Sequence, residues 1–385
     1  MMRKKRKILF VTERRADYSR LKPIMRLVQK SRKLELQLVV TGQHLLKSFG
    51  ETKRVIEQEG FRPDAFIPVF REGDRDDGAT MARALGHYIL KLTDAVLRLK
   101  PDLIFCGFDL DAHLAAAIVG MHLNIPSAHI QGGERSGTID EVLRHATTKF
   151  AHMHFVATGE SRRRVLALGE DPKYVFLVGS PSLDTIRHIS YPPREKIFSA
   201  YGLDPKRKLI IFSQHPVTTE VHDVEKHINE SVMALKKAAH EYGAQVLAVY
   251  SNNDAGGKRI VAHLKKSGFI VYPHIVYEDY LRLLKHASVL VGNSSTGIHE
   301  APSFGLPTVN IGSRQQFRER GANVIDARNE RKAIGRAVTK CLTDARFIAR
   351  VKRGRNPYDH GDTAQRVVKI LETMPFPDVQ KVITY

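Results

Sequence analysis

Short β-branched and aliphatic runs alternate with segments of helical apolar spacing along almost the whole chain, and this alternation constrains the fold most. Strands are predicted at 7–12 (KILFVT), 34–40, 66–70, 102–106, 125–130, 154–157 and 174–178. Helices are predicted at 19–30, through the forties and fifties, from the acidic loop 72–78 to about residue 100, at 112–123 and at 139–151. Pro101 stops the longest of them. Such a pattern calls for right-handed βαβ crossovers and a parallel sheet covered on both faces. Parallel sheets bind ligands beyond the carboxyl ends of their strands, where strand order reverses. The loops 13–18, 107–111 and 131–138 are therefore the ones expected to carry chemistry in the first half.

The alternation lapses over 180–194, where proline and glycine-flanked serine replace apolar periodicity, and this stretch reads as a hinge. It restarts with strands at 208–213, 245–250, 269–272, 288–291 and 307–311, and a last helix is predicted at 364–374. The expected fold class is α/β, with two Rossmann-like domains and a cleft between them. The first spans 1–182 and the second 183–363, leaving 364–385 to return to the first. A chain of 385 residues is long enough for both.

Sixty-one Lys and Arg against 41 Asp and Glu give a formal charge of +20, which favours anionic partners. The positive residues are dispersed, with no aromatic-interleaved basic motif or zinc-finger spacing, so nucleic acid is an unlikely partner. Two distant cysteines, Cys106 and Cys341, make no disulfide framework and fit a reducing compartment. The basic start MMRKKRK precedes too short an apolar run for a secretory signal and reads as a solvated tail; no run approaches a membrane span. A soluble, cytoplasmic protein is expected.

The stretch HIQGGERSGTIDEVLRHATTK (129–149) concentrates the chemistry of the first half. Gly132 and Gly133 let the backbone turn sharply after a strand. Thr138 with Glu141 has the spacing of a capping box, so a helix should begin near Ile139. Asp140 and Arg144 then share one helix face, and Glu141 and His145 the neighbouring one. An ordinary capped helix with surface ion pairs has the same pattern.

In the second half QHPVTT (214–219) and GNSSTGIHE (292–300) each follow a strand and precede a helix. His215 could give a phosphate a hydrogen bond or a positive charge. Ser294 and Ser295, with helix amides, suit a diphosphate, and Glu300 could accept from ribose hydroxyls. Helix capping explains the serines nearly as well. NNDAGG (252–257) reads as a turn, and Arg314 stands where it could pair with a phosphate. His152 and His154 alternate on a strand, but no third ligand at metal spacing accompanies them, and no metal is expected. There is no GxGxxG, Walker or GxSxG motif.

Taken together, RADYSRL (15–21), TGQHL (41–45), the 129–149 stretch, GSPSLD (179–184), HPVTT, NDAG (253–256), NSSTGIHEA (293–301) and NPYDHGDTAQR (356–366) resemble the hydrolysing UDP-N-acetylglucosamine 2-epimerases, in order and nearly end to end. The likeness is close to the branch that makes N-acetylmannosamine, or a related diamino sugar, for sialic-acid-type nonulosonates. It implies a GT-B arrangement, a UDP-sugar in the cleft, no metal or redox cofactor, and a homodimer or homotetramer. It also implies removal of the C2 proton, expulsion of UDP to a glycal and addition of water at C1.

On the UDP side the resemblance carries over to Arg15, His215, Ser294, Ser295, Glu300 and Arg314, with Asn252 near the uracil. Asp17, His129, Arg144 and His145, within the quoted motifs, are taken with them as substrate-binding. The sugar side departs from the family. Where the family reads GDRFDA, residues 107–112 read GFDLDA, so Phe108 replaces an acid; where it reads HIEGGE, Gln131 replaces a glutamate. Asp140 and Glu134 are retained, and Asp109 is the neighbouring carboxylate that could substitute. The catalytic candidates are thus Asp109, Glu134, Asp140 and Gln131.

Overall fold

The computed structural model describes residues 4–385; the first three residues of the basic start lie outside them. Two parallel sheets form the scaffold. The first contains β1 (Arg6–Thr12), β2 (Leu34–Thr41), β3 (Ala65–Ile67), β4 (Leu103–Gly107), β5 (Ser127–Ile130), β6 (Met153–Val156) and β7 (Val175–Leu177), in the order β3-β2-β1-β4-β5-β6-β7. The second contains β8 (Leu209–Ser213), β9 (Gln245–Val249), β10 (Ile270–Tyr272), β11 (Val289–Gly292), β12 (Thr308–Ile311) and β13 (Val324–Ala327), in the order β10-β9-β8-β11-β12-β13. Every neighbouring pair is parallel.

Burial on both faces explains why the strands read as continuous apolar runs. Along β1, Ile8 and Phe10 enter the core on one face while Leu9 and Val11 enter the core on the other. Along β8, Ile210 and Phe212 alternate likewise with Leu209 and Ile211. Each such side chain contributes roughly 1.5–3 kcal/mol when fully buried. Strand order reverses between β1 and β4 and again between β8 and β11, which opens a crevice beyond the strand ends of each sheet. The two crevices face each other.

Several elements differ from the sequence reading. The first helix is Arg15–Lys30 and begins four residues early, because Asp17 turns back to accept from the amides of Glu13 and Arg14, both at 2.8 Å. The forties hold two 3-10 turns, Gly42–Leu45 and Lys47–Phe49, before the helix Lys53–Gln58. There the buried His44 ring is tied to Thr12 Oγ1 (3.0 Å) and Thr52 Oγ1 (2.7 Å). The stretch 180–194 contains the helix Ser182–His188, and β13 went unrecognised. The helix Thr363–Thr373 packs on Arg15–Lys30, and its Val367, Val368 and Leu371 join the first core. Asp184 accepts from its first amides, Thr363 at 3.0 Å and Ala364 at 2.6 Å. Both cysteines are buried thiols, and among the described residues no helix is long and apolar enough to cross a membrane.

Candidate active site

A cavity of about 240 Å³ occupies the junction of the two crevices. The β1 loop and the first helix contribute Arg14, Arg15, Asp17 and Arg20; the β4 loop contributes Phe108 and Asp109; the helix Asp140–Phe150 contributes Asp140. The second domain adds His215 after β8, Asn252 after β9, His274 after β10, and Ser294, Ser295 and Glu300 after β11. Arg314 and Arg318, after β12, complete the wall.

His215 is clamped by Asn293, whose Oδ1 accepts from the His215 amide (2.7 Å) and whose Nδ2 donates to its carbonyl (2.8 Å). Burial, reinforced by Arg314 and Arg14, pushes the imidazole well below its usual pKa, so the ring is neutral. Its Nδ1 accepts from the Asn252 amide at 3.2 Å, which leaves the proton on Nε2. His215 can therefore give a ligand a hydrogen bond, but not the positive charge the sequence suggested. The helix after Ser294 and Ser295 is a single turn, Thr296–His299, so its dipole is small and anion attraction falls mainly to the arginines. Ser295 Oγ accepts from Arg20 at 2.9 Å. Glu300 is buried, with Arg20 at 3.7 Å and the Tyr277 hydroxyl at 3.5 Å on Oε1, while Oε2 is enclosed and unpartnered. A buried acceptor left in this way costs about 1–3 kcal/mol, and a ligand hydroxyl would relieve it.

The carboxylates differ sharply. Burial raises the affinity of Asp109 for a proton, but the Arg144 and Arg318 guanidiniums overcome this and hold it at about 2. Glu134 is likewise drawn well below the carboxylate range against the effect of burial, by His299 and Arg318. It accepts from Gln131 Nε2 (2.9 Å), His299 Nε2 (3.1 Å) and Arg318, which joins the domains. Asp140 alone among the catalytic candidates is shifted upward, by burial and then by the nearby Asp109 charge, although Arg314 lies at 3.3 Å. A carboxyl poised in this way suits proton transfer.

Apart from Asp17, the remaining candidates are not among the residues that line the cavity. Gln131 and Glu134 form a buried pair beneath it. Arg144 is buried among Asp109, the Glu134 carbonyl (3.0 Å) and Ser136 Oγ (3.2 Å), so it shapes the loop. His129 donates through Nε2 to the Phe108 carbonyl (2.9 Å), and burial depresses it to about 3. His145 pairs outward with Glu141 at 3.1 Å. Asp17 lines the cavity, yet its oxygens hold two amides and His113 Nε2 (3.1 Å), so it orders the β1 loop. The expected capping box is displaced: Glu141 reaches back to the Ser136 amide, while Thr138 Oγ1 accepts from Asp140. His152 bonds the Val379 carbonyl and His154 bonds Glu170. Among the described residues no group of three or more His, Cys, Asp or Glu could hold a metal.

Phe108 and Gln131, the two departures, both sit in left-handed backbone at φ 66° and 60°. Their amides extend the β4 and β5 ladders to Ile130 O (3.0 Å) and Phe155 O (2.8 Å). An L-residue pays about 1–3 kcal/mol for such a conformation, and it persists where the surroundings impose it. Gly133 (φ 77°) completes the turn. At Gly137 a Cβ would lie 1.9 Å from Ser313 O of the other domain, so glycine permits the close approach there. Arg14, Arg20, Tyr277, His274 and Arg318 were not singled out from the sequence. Arg20 lies within RADYSRL and Arg318 four residues beyond Arg314, but nothing local distinguished them from the chain's other arginines.

Two parallel α/β domains facing each other across a cavity lined by arginines, hydroxyls and carboxylates define a GT-B-like protein with a site for a polar, anionic ligand. The sequence profile of the UDP-N-acetylglucosamine 2-epimerases matches residues 26–372, and the chain belongs to that family. A hydrolysing UDP-N,N'-diacetylbacillosamine 2-epimerase of Legionella pneumophila is 35% identical over 96% of both chains. A UDP-N-acetylglucosamine 2-epimerase of Neisseria meningitidis is 33% identical over 98% of this chain and 97% of the other. Among solved structures, a UDP-GlcNAc 2-epimerase from Neisseria meningitidis bound to UDP-GlcNAc superposes with a TM-score of 0.81 at 18% identity, covering 95% and 99%. At that identity the superposition speaks for the fold.

Proposed function

We propose that the protein is a hydrolysing 2-epimerase that takes UDP-GlcNAc, or a related UDP-acetamido sugar, to UDP and the free 2-epimer, such as N-acetylmannosamine. The observation that carries this reading is Asp140, a carboxyl of raised proton affinity that lines one cavity with His215, Ser294 and Ser295 and lies 3.3 Å from Arg314. Asn252 and Arg15 would border the base and Glu300 would take the ribose. The Nε2–H of His215, the serine hydroxyls and Arg314 would bind the diphosphate. Ionised Asp140 would remove the C2 proton while the C1–O bond breaks, its electron pair leaving with UDP, to give the glycal. Water then supplies hydroxyl to C1 and a proton returns to C2 on the opposite face. Hydrogen bonds from Arg314 and His215 to the departing diphosphate would lower the barrier.

Incubation with UDP-GlcNAc in deuterated water should release UDP and yield N-acetylmannosamine labelled at C2. Absence of UDP release from every acetamido UDP-sugar offered would reject the reading. Phe108 and Gln131 favour a second one, a UDP-sugar-binding protein with altered or lost epimerase chemistry, or a glycosyltransferase. It predicts UDP binding with little hydrolysis, and that Phe108→Asp with Gln131→Glu restores turnover.

A further inference from the structure

We propose that the solvent face of two helices in the second domain, Arg331–Thr343 and Ala345–Arg353, docks the protein on a lipid surface that carries anionic headgroups. Residues 328–355 hold ten Lys and Arg against two acids, Glu330 and Asp344, and all ten cations are exposed. Each helix turns one side inward: Ile334, Val338 and Cys341 of the first, Phe347 and Val351 of the second, join the core of that domain. Helical spacing then sets Lys332, Arg336 and Lys340 in one row, and Arg346, Arg350 and Arg353 in another. The rows adjoin at Phe347, whose ring centre lies 5.9 Å from Lys340 Nζ and 5.2 Å from the Arg350 guanidinium.

The charge of the two rows is uncompensated. Asp344 is committed to the Phe347 amide, which it caps at 2.9 Å, and the nearby Glu230 pairs with Arg331 at 3.3 Å. None of the six cations in the rows has a carboxylate within ion-pair distance among the described residues. None lines the cavity between the domains, so the reaction proposed above makes no use of them. Like charges gathered in this way repel one another, and a partner of opposite charge relieves that repulsion. The same side chains choose among anionic partners. Single-stranded nucleic acid is held by stacking on exposed aromatic rings, and the one aromatic residue of 328–355, Phe347, is buried. A particular acidic peptide or base edge is read by guanidiniums fixed in place. Here, among the described residues, only Arg353 of the six donates a hydrogen bond, to the Ala349 carbonyl of its own helix at 3.3 Å. Untied cations suit a fluid layer of point charges. No large apolar side chain is exposed over 328–355, so contact stays at the headgroups and yields to salt.

Flotation with phosphatidylcholine vesicles, with and without phosphatidylglycerol, would be measured for the full chain at low and high salt. The wild type should float only with the anionic vesicles and be released as salt rises. Each cation removed near such a surface should weaken binding about fivefold, so Arg346→Ala, Arg350→Ala and Arg353→Ala together should weaken it on the order of 100-fold. Lys332→Ala, Arg336→Ala and Lys340→Ala together should do the same through the other helix, and both variants should keep the wild-type melting temperature. Lys30→Ala, Arg32→Ala and Lys33→Ala, exposed in the first domain, remove the same charge elsewhere and should leave binding nearly unchanged. No flotation of the wild type with anionic vesicles, or an equal loss in the first-domain variant, would overturn the proposal. Tighter binding to duplex DNA or RNA than to the vesicles, lost in the same two variants, would overturn it as well and assign the face to nucleic acid.

Discussion

At the scale of single residues, burial and charge decide what each polar group can do. Asp140 and Asp109 stand in one cavity, yet two arginines hold Asp109 at about 2 while burial and that same Asp109 charge lift Asp140. Asp140→Asn should lower kcat by on the order of 10²–10⁴, as expected for a lost acid–base group. UDP affinity should stay within a few-fold, as calorimetry would check. In the proposed reaction the ionised form would be the base, so kcat/KM should fall as pH drops through a value above the usual 3.8 for aspartate. This ordering was not legible in the sequence. Asp140 and Glu134 read there as retained acids and Asp109 as a possible substitute, with nothing to rank their proton affinities, and Arg144 and Arg318, which separate them, act through contacts made 35 and 184 residues away along the chain.

At the scale of elements, loops are placed by bonds from elsewhere in the fold. Asp184 in the helix Ser182–His188 caps the distant helix Thr363–Thr373, which belongs to the first core. Asp184→Ala should cost about 1–3 kcal/mol by stranding two buried amides; a urea titration would show this, with KM unchanged. Gly137→Ala should act oppositely, since its Cβ meets a carbonyl of the other domain. It should lower kcat/KM at least tenfold by spreading the walls that must meet around a ligand, with a smaller effect on melting; steady-state kinetics beside calorimetry separates the two. Most strands were legible from apolar runs. The segment 42–58, the early start at Arg15 and β13 were not, because His44, Asp17 and pairing with β12 determine them through tertiary contacts.

At the scale of the whole molecule, stability should follow the buried histidines. Burial depresses His44 to about 4 and His129 to about 3 from 6.5, so the folded chain binds fewer protons than the unfolded one over that interval. Their contribution is complete above about pH 6.5 and lost progressively as pH falls toward 3–4. Urea midpoints should accordingly drop between pH 7 and pH 5, and His129→Asn should flatten the slope. The sequence by itself determined the α/β class, the two-sheet architecture and the strand-end loops, because apolar periodicity and chain order are local properties. Only the tertiary structure decided which acid keeps its proton longer, why His215 is neutral and which arginines join the domains. Those outcomes depend on burial and on charges a few ångströms apart in space that lie far apart along the chain.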